Sequence, residues 1–164
     1  MKKGELKKKT GFTIIEVSLV LAIAGLIFLM VFIALPQLQR SQRDSRRRDD
    51  ILSFLETVKK YQTNNRGALP ASSDAWQDDF YKKYFGDSFM DPDGSEYELN
   101  VKECGTKTQG EDCNNNPTIE YVDHMLYVLI QATCSGEKAV ATSNPRNIAV
   151  MYKLEGAGIY CANT

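Results

Sequence analysis

The sequence predicts an α+β fold: a long, kinked N-terminal α-helix, transmembrane in its first half, packed on a small antiparallel β-sheet. Three observations carry that expectation. Residues 12–35 are almost wholly apolar, with Thr13, Glu16 and Ser18 as the polar exceptions. Ile51, Phe54, Leu55, Val58 and Tyr61 then recur at helical spacing, a stripe that core packing explains better than a ligand site. Beyond Gly67 the pattern changes to short β-rich runs separated by turn residues. At 164 residues the chain has room for one modest domain plus an appendage.

As a helix, the 24 residues 12–35 extend about 36 Å, enough to cross a ~30 Å hydrocarbon layer with some tilt. Residues 1–11 hold five lysines against Glu5, a net of +4, which leaves −5 for the remainder of a chain whose formal charge is −1. The basic start favours an N-terminus in the cytosol, against which Arg40, Arg43, Arg46, Arg47 and Arg48 follow the span closely. The acidic remainder argues against nucleic acid as a general partner. A secretory signal has a shorter apolar core that ends in small residues, whereas this run leads into Pro36, Gln37 and Leu38. A plain membrane anchor fits the length but gives no reason for Glu16, a carboxylate one turn inside the run.

Pro36 predicts a kink rather than a stop. Residues 37–50 are polar on every side and free of Gly and Pro, so the helix continues into the stripe. It ends where Asn64, Asn65, Arg66 and Gly67 tolerate left-handed backbone. After a turn at residues 69–74, Trp76, Phe80 and Tyr84 mark a short helix with a buried aromatic stripe. Strand-like runs follow at 97–102, 119–123, 125–133, 138–141, 148–154 and 159–161. The last comes after a hairpin turn at Glu155, Gly156, Ala157 and Gly158. Short neighbouring strands point to an antiparallel sheet whose apolar face the long helix covers.

Cys104, Cys113, Cys134 and Cys161 form no C-x-x-C pair and have no adjacent histidine, which speaks against structural zinc. An even count downstream of a membrane segment reads as two disulfides in an oxidising compartment. Three connectivities are open. The favoured one joins Cys104–Cys113 as a local loop and Cys134–Cys161 across the domain, each worth roughly 2–4 kcal/mol.

The segment Lys9-Thr10-Gly11-Phe12-Thr13-Ile14-Ile15-Glu16-Val17, with the apolar run and Gly25 behind it, resembles the processing and assembly signature of type IV pilin precursors. Pseudopilins of type II secretion carry a similar signature. The match covers about the first 50 residues, and the helix-then-sheet layout is compatible with a pilin-like fold. The resemblance implies four parts: a cleaved basic leader 1–11, a transmembrane and assembly helix 12–35, a stalk continuation 36–64 and an extracellular globular part 65–164. It implies that a prepilin peptidase cuts between Gly11 and Phe12 and methylates the new Phe12 amine. Gly11 suits that role because a residue without a side chain lets the protease approach closely. Assembly falls to Thr13 and Glu16, with Glu16 pairing with the Phe12 amine of a neighbouring subunit and so setting register; buried ion pairs specify register better than they stabilise. Pro36 falls a few residues later than the family's usual proline, so the kink position is not carried over.

The turn Asp91-Pro92-Asp93-Gly94-Ser95-Glu96-Tyr97 resembles a pilin and pseudopilin D-P-x-G-x-x-Y turn. Its carboxylates raise calcium as a rival reading, but the EF-hand spacing is not met and a turn is preferred. The arginine cluster reads as a solvated or subunit-contacting face rather than a phosphate site. His124, the sole histidine, reads as a strand-edge residue. No P-loop, G-x-S-x-G or H-E-x-x-H is present, so neither an enzyme, a metal nor a cofactor is expected. The expected partners are copies of the chain in a helical filament, the prepilin peptidase, the pilus assembly machinery, and membrane lipid before assembly. A host surface or DNA is a further ligand. The filament would serve adhesion, surface motility or DNA uptake. The alternatives are a type II secretion pseudopilin and, from a different class, a monomeric membrane-anchored extracellular binding domain.

Overall fold

The computed structural model describes residues 11–86, 89–104, 108–113, 122–156 and 158–164. The leader before Gly11, most of the strand expected at 119–123, and Ala157 of the expected hairpin turn lie outside the described residues. The chain forms two compact units, Met1–Gln39 and Arg40–Thr164. Helix α1 (Ile14–Asn64) begins in the first and ends in the second, and its hydrogen-bonded assignment runs through Pro36.

In the first unit α1 carries one segment long and apolar enough to cross a membrane. None of its apolar residues is buried; Phe12 is 89% exposed and Phe32 77%. The second unit begins with the rest of α1, whose stripe behaves as its spacing predicts. Ile51, Phe54, Leu55 and Val58 are buried, while Leu52, off the stripe, is not. Each such buried side chain contributes roughly 1.5–3 kcal/mol of transfer free energy. The helix stops because Arg66 (φ 58°) and Gly67 (φ 84°) turn left-handed, which lets the Gly67 N–H reach back to the Gln62 carbonyl at 2.6 Å.

A π-helix (Ala75–Tyr81) follows and continues as α2 (Lys82–Tyr84). The i, i+4, i+8 stripe is corrected by this geometry. A π turn places residues five apart on one side, so Trp76, Phe80 and Tyr81 are buried and Tyr84 is only half-buried.

Among the described residues six strands make two sheets: β1 (Glu98–Glu103), β2 (Met125–Ile130), β3 (Ala132–Ser135), β4 (Lys138–Ala141), β5 (Ile148–Lys153) and β6 (Ile159–Asn163). The four-stranded sheet has order β1-β2-β5-β6; β3 and β4 form a separate hairpin. β2–β5, β5–β6 and β3–β4 are antiparallel, but β1 and β2 are parallel, with Leu99 opposite Leu126 and Val101 opposite Val128. Chain length allows the exception, because residues 104–124 separate the two strands and parallel neighbours require a long connection. The single run expected at 125–133 is broken at Gln131, whose left-handed backbone (φ 59°) separates β2 from β3.

Both faces of the sheet are covered. On β2 and β5, Leu126, Val128, Ile148, Val150 and Tyr152 face the cluster that contains α1. The intervening Tyr127, Leu129, Ala149 and Met151 belong to a second cluster, on which β3 and β4 lie. Both disulfides, Cys104–Cys113 and Cys134–Cys161, sit in that second cluster.

Candidate functional site

Two constellations hold the residues singled out from sequence, one in each unit. In the first, Gly11, Phe12, Thr13 and Glu16 lie at the start of α1. Thr13 and Glu16 form a reciprocal capping box. The Thr13 N–H and hydroxyl both donate to Glu16 Oε2 at 2.9 Å, and the Glu16 N–H donates to Thr13 Oγ1 at 3.3 Å. Two of the four backbone N–H groups that a helix start leaves unpaired are thereby satisfied, and the carboxylate sits where the helix dipole favours negative charge. The signal was in the sequence as Thr13-Ile14-Ile15-Glu16 ahead of an apolar run, and it gives Glu16 a local role that charge counting overlooked. Gly11 has no comparable role among the described residues. A Cβ built there meets nothing within 4 Å among the described residues, and its backbone is not left-handed.

The second constellation centres on Arg47, and for this residue the arginine-cluster reading is corrected. Arg47 is 2% exposed and sits at the junction of three segments. Its Nε and Nη2 donate to the two oxygens of Asp91 at 2.7 Å each. Its Nη1 donates to Asp44 Oδ1 at 3.1 Å and lies 2.7 Å from Glu155 Oε1. Asp44 in turn accepts the Glu155 and Gly156 N–H groups at 3.0 and 2.9 Å, which fixes the β5–β6 turn. Arg43 forks onto Glu155 at 2.9 and 2.6 Å, and Arg48 lies over the Tyr160 ring. Arg47 and, in part, Arg43 are therefore folded into the globular unit, while Arg40, Arg46 and Arg48 stay exposed. Interleaved Asp and Arg looked like a surface pattern because the partner that buries Arg47, Asp91, lies 44 residues away.

Asp91 is completely paired. Besides Arg47 it accepts the Tyr152 hydroxyl at 2.7 Å and the Asp93 N–H at 3.0 Å. Burial alone would raise its carboxyl; the Arg47 and Tyr152 bonds outweigh that and hold it down at about 2. The Arg43 bond lowers Glu155 to about 2 against burial, which raises it, with the Arg47 bond adding to the lowering. Burial raises Asp50, against a 3.0 Å bond from the Tyr97 hydroxyl.

The Asp91-to-Tyr97 segment is a turn closed by the Gly94 N–H on the Asp91 carbonyl at 2.8 Å. Gly94 has φ 96°, the conformation glycine adopts without strain. His124 is corrected from strand edge to a left-handed turn residue (φ 67°) just ahead of β2, its Nδ1 2.7 Å from Ser95 Oγ and 3.4 Å from Asp93 Oδ2. Asp91, Asp93 and His124 bring three potential metal-ligand atoms within 4.8 Å of one another. They do not suit a resident cation. Both Asp91 oxygens are committed to Arg47, whose Nη2 is also 3.9 Å from Asp93, so a metal would face a guanidinium. A cleft of about 460 Å³ beside this cluster is lined by Arg40, Asp93, His124, Lys153 and Glu155. Its charges of both signs define no single ligand.

No protein-family model, curated protein or solved structure matches the chain.

Proposed function

We propose that this chain is the precursor of a type IV pilin-like filament subunit, cleaved between Gly11 and Phe12 and polymerised through its N-terminal helix. The observation that carries the reading is an apolar helix segment with no buried residue and a carboxylate in its first turn. That much apolar surface requires lipid or protein cover. In the membrane the segment is a single-pass anchor with its N-terminus in the cytosol. In the filament it packs against copies of itself, so lipid contacts are exchanged for protein contacts. Gly11 supports the processing step because packing among the described residues makes no demand for glycine there. The globular unit then lies outside the cell, where its disulfides persist. Adhesion, surface motility and DNA uptake are the outputs such a filament serves.

Cleavage leaves an amine on Phe12, and Glu16 is its counter-charge in the neighbouring subunit. The capping box makes that role separable from a local one, because Gln also completes such a box. Glu16→Gln keeps the cap and removes the charge. We expect Glu16→Gln and Glu16→Ala both to lose shed filaments, roughly tenfold or more for a lost register contact of at least 1.4 kcal/mol. The membrane-bound subunit should stay at wild-type levels in both. Full filament yield with Glu16→Gln would leave Glu16 with a capping role alone.

A further inference from the structure

The two faces of the sheet are covered by different material. Large side chains, among them Phe54, Trp76 and Phe80, lie on the α1 side. On the other side, Tyr127, Leu129, Ala149 and Met151 are covered by a thin layer whose own buried side chains are Ala132, Ala139 and Ala141. That layer is the β3–β4 hairpin, widened by residues 110–113. The Gly110 N–H donates to the Ala141 carbonyl at 2.9 Å, Ala141 N–H to Glu111 at 2.8 Å, and Cys113 N–H to Ala139 at 2.9 Å. Among the described residues, the layer's fully buried side chains are three alanine methyl groups, which remove little apolar surface from water and by themselves hold it weakly.

The disulfides make up the difference. In the order β1-β2-β5-β6, Cys104 directly follows one edge strand and is bonded to Cys113 of the layer. Cys161 lies in the opposite edge strand and is bonded to Cys134 in β3. Each edge of the sheet is thus stapled once to the layer, and all four cysteines lie in the second cluster, away from the α1-side core.

We propose that this layer is a redox-governed flap, docked while both disulfides are intact and released when they are reduced, with the α1-side core folded in both states. Opening each disulfide consumes two electrons and two protons. A dithiol supplies both and closes to its own disulfide, leaving Cys104, Cys113, Cys134 and Cys161 as thiols. Release uncovers Leu129 and Met151 and turns a closed face of the sheet into an apolar one.

Hydrogen exchange on the full chain in detergent micelles, oxidised and after dithiothreitol, tests this. Trp76, the sole tryptophan, reports on the α1-side core. On reduction the Cys113, Thr133 and Ala141 amides should exchange about 100-fold faster, while Phe54 and Val150 keep their protection and Trp76 emission does not move. The paired variants Cys104→Ser with Cys113→Ser, and Cys134→Ser with Cys161→Ser, should show the same order of loss without any reductant. Unchanged flap exchange after complete reduction overturns the proposal. So does loss of Phe54 protection with a red shift of Trp76, in the reduced chain or in either paired variant, because the two faces would then be one cooperative unit.

Discussion

Replacing Arg47 with alanine should destabilise the globular unit by roughly 3–5 kcal/mol, read by urea denaturation of the detergent-solubilised chain at pH 7. The size follows from what remains. The Asp91 side chain is 0% exposed and keeps its charge without its counter-ion, and Asp44 loses the guanidinium that helps hold it against the β5–β6 turn. Arg43→Ala is the matched control. Its pair with Glu155 is about a third exposed on each side, so the loss should stay within about 1 kcal/mol. The same pair of measurements carries a pH signature. Asp91 sits at about 2 in the folded chain, below its ordinary 3.8. A depressed carboxyl contributes stability above the unfolded value, and that stability is lost as pH falls from about 4 to about 2. The loss should be roughly 2–3 kcal/mol in the wild type. Arg47→Ala, which no longer holds the Asp91 carboxyl down, should lose that share and keep only the smaller, partly exposed share that Arg43 still gives Glu155. Equal stability of Arg47→Ala and Arg43→Ala would mean that the buried cluster is not what joins α1 to the sheet.

Phe54→Ala should cost about 3–5 kcal/mol, through a cavity at the centre of the aromatic core. Phe54 is fully buried and its ring lies 5.6 Å from those of Phe80 and Phe85 and 6.5 Å from that of Trp76, so its removal strips contacts from α1, the π-helix and the segment after it together. Trp76 emission should red-shift at lower urea than in the wild type. Leu52→Ala, two residues away on the other side of α1 and 47% exposed, should change stability by no more than about 0.5 kcal/mol.

The contrast between these two residues marks what the sequence could disclose. Phe54 belongs to a periodic stripe, and periodicity is local, so its burial was readable with the rest of α1. Arg47 was misread because its burial depends on Asp91, and no local pattern reports a contact across 44 residues. The parallel β1–β2 pair was missed for the same reason: strand direction is set by a long connection whose course local propensity does not describe. The second cluster left a sign that was passed over. Residues 125–130 and 148–152 are nearly continuous in apolar character instead of alternating, which is how a strand covered on both faces reads. At the start of α1, the Thr13–Glu16 capping box was legible as a four-residue pattern, whereas a role in register belongs to a neighbour and has no trace in the geometry of one chain.

The filament reading is tested most directly by the N-terminal residue and intact mass of the protein recovered from sheared cell-surface material. The account predicts a chain that begins at Phe12 and carries one added methyl group, and it predicts that Gly11→Ala sharply reduces this species while uncut chain accumulates in the membrane. A chain that starts at Met1 and is found only in the membrane, unaltered by Gly11→Ala, would contradict it and leave a membrane-anchored monomer.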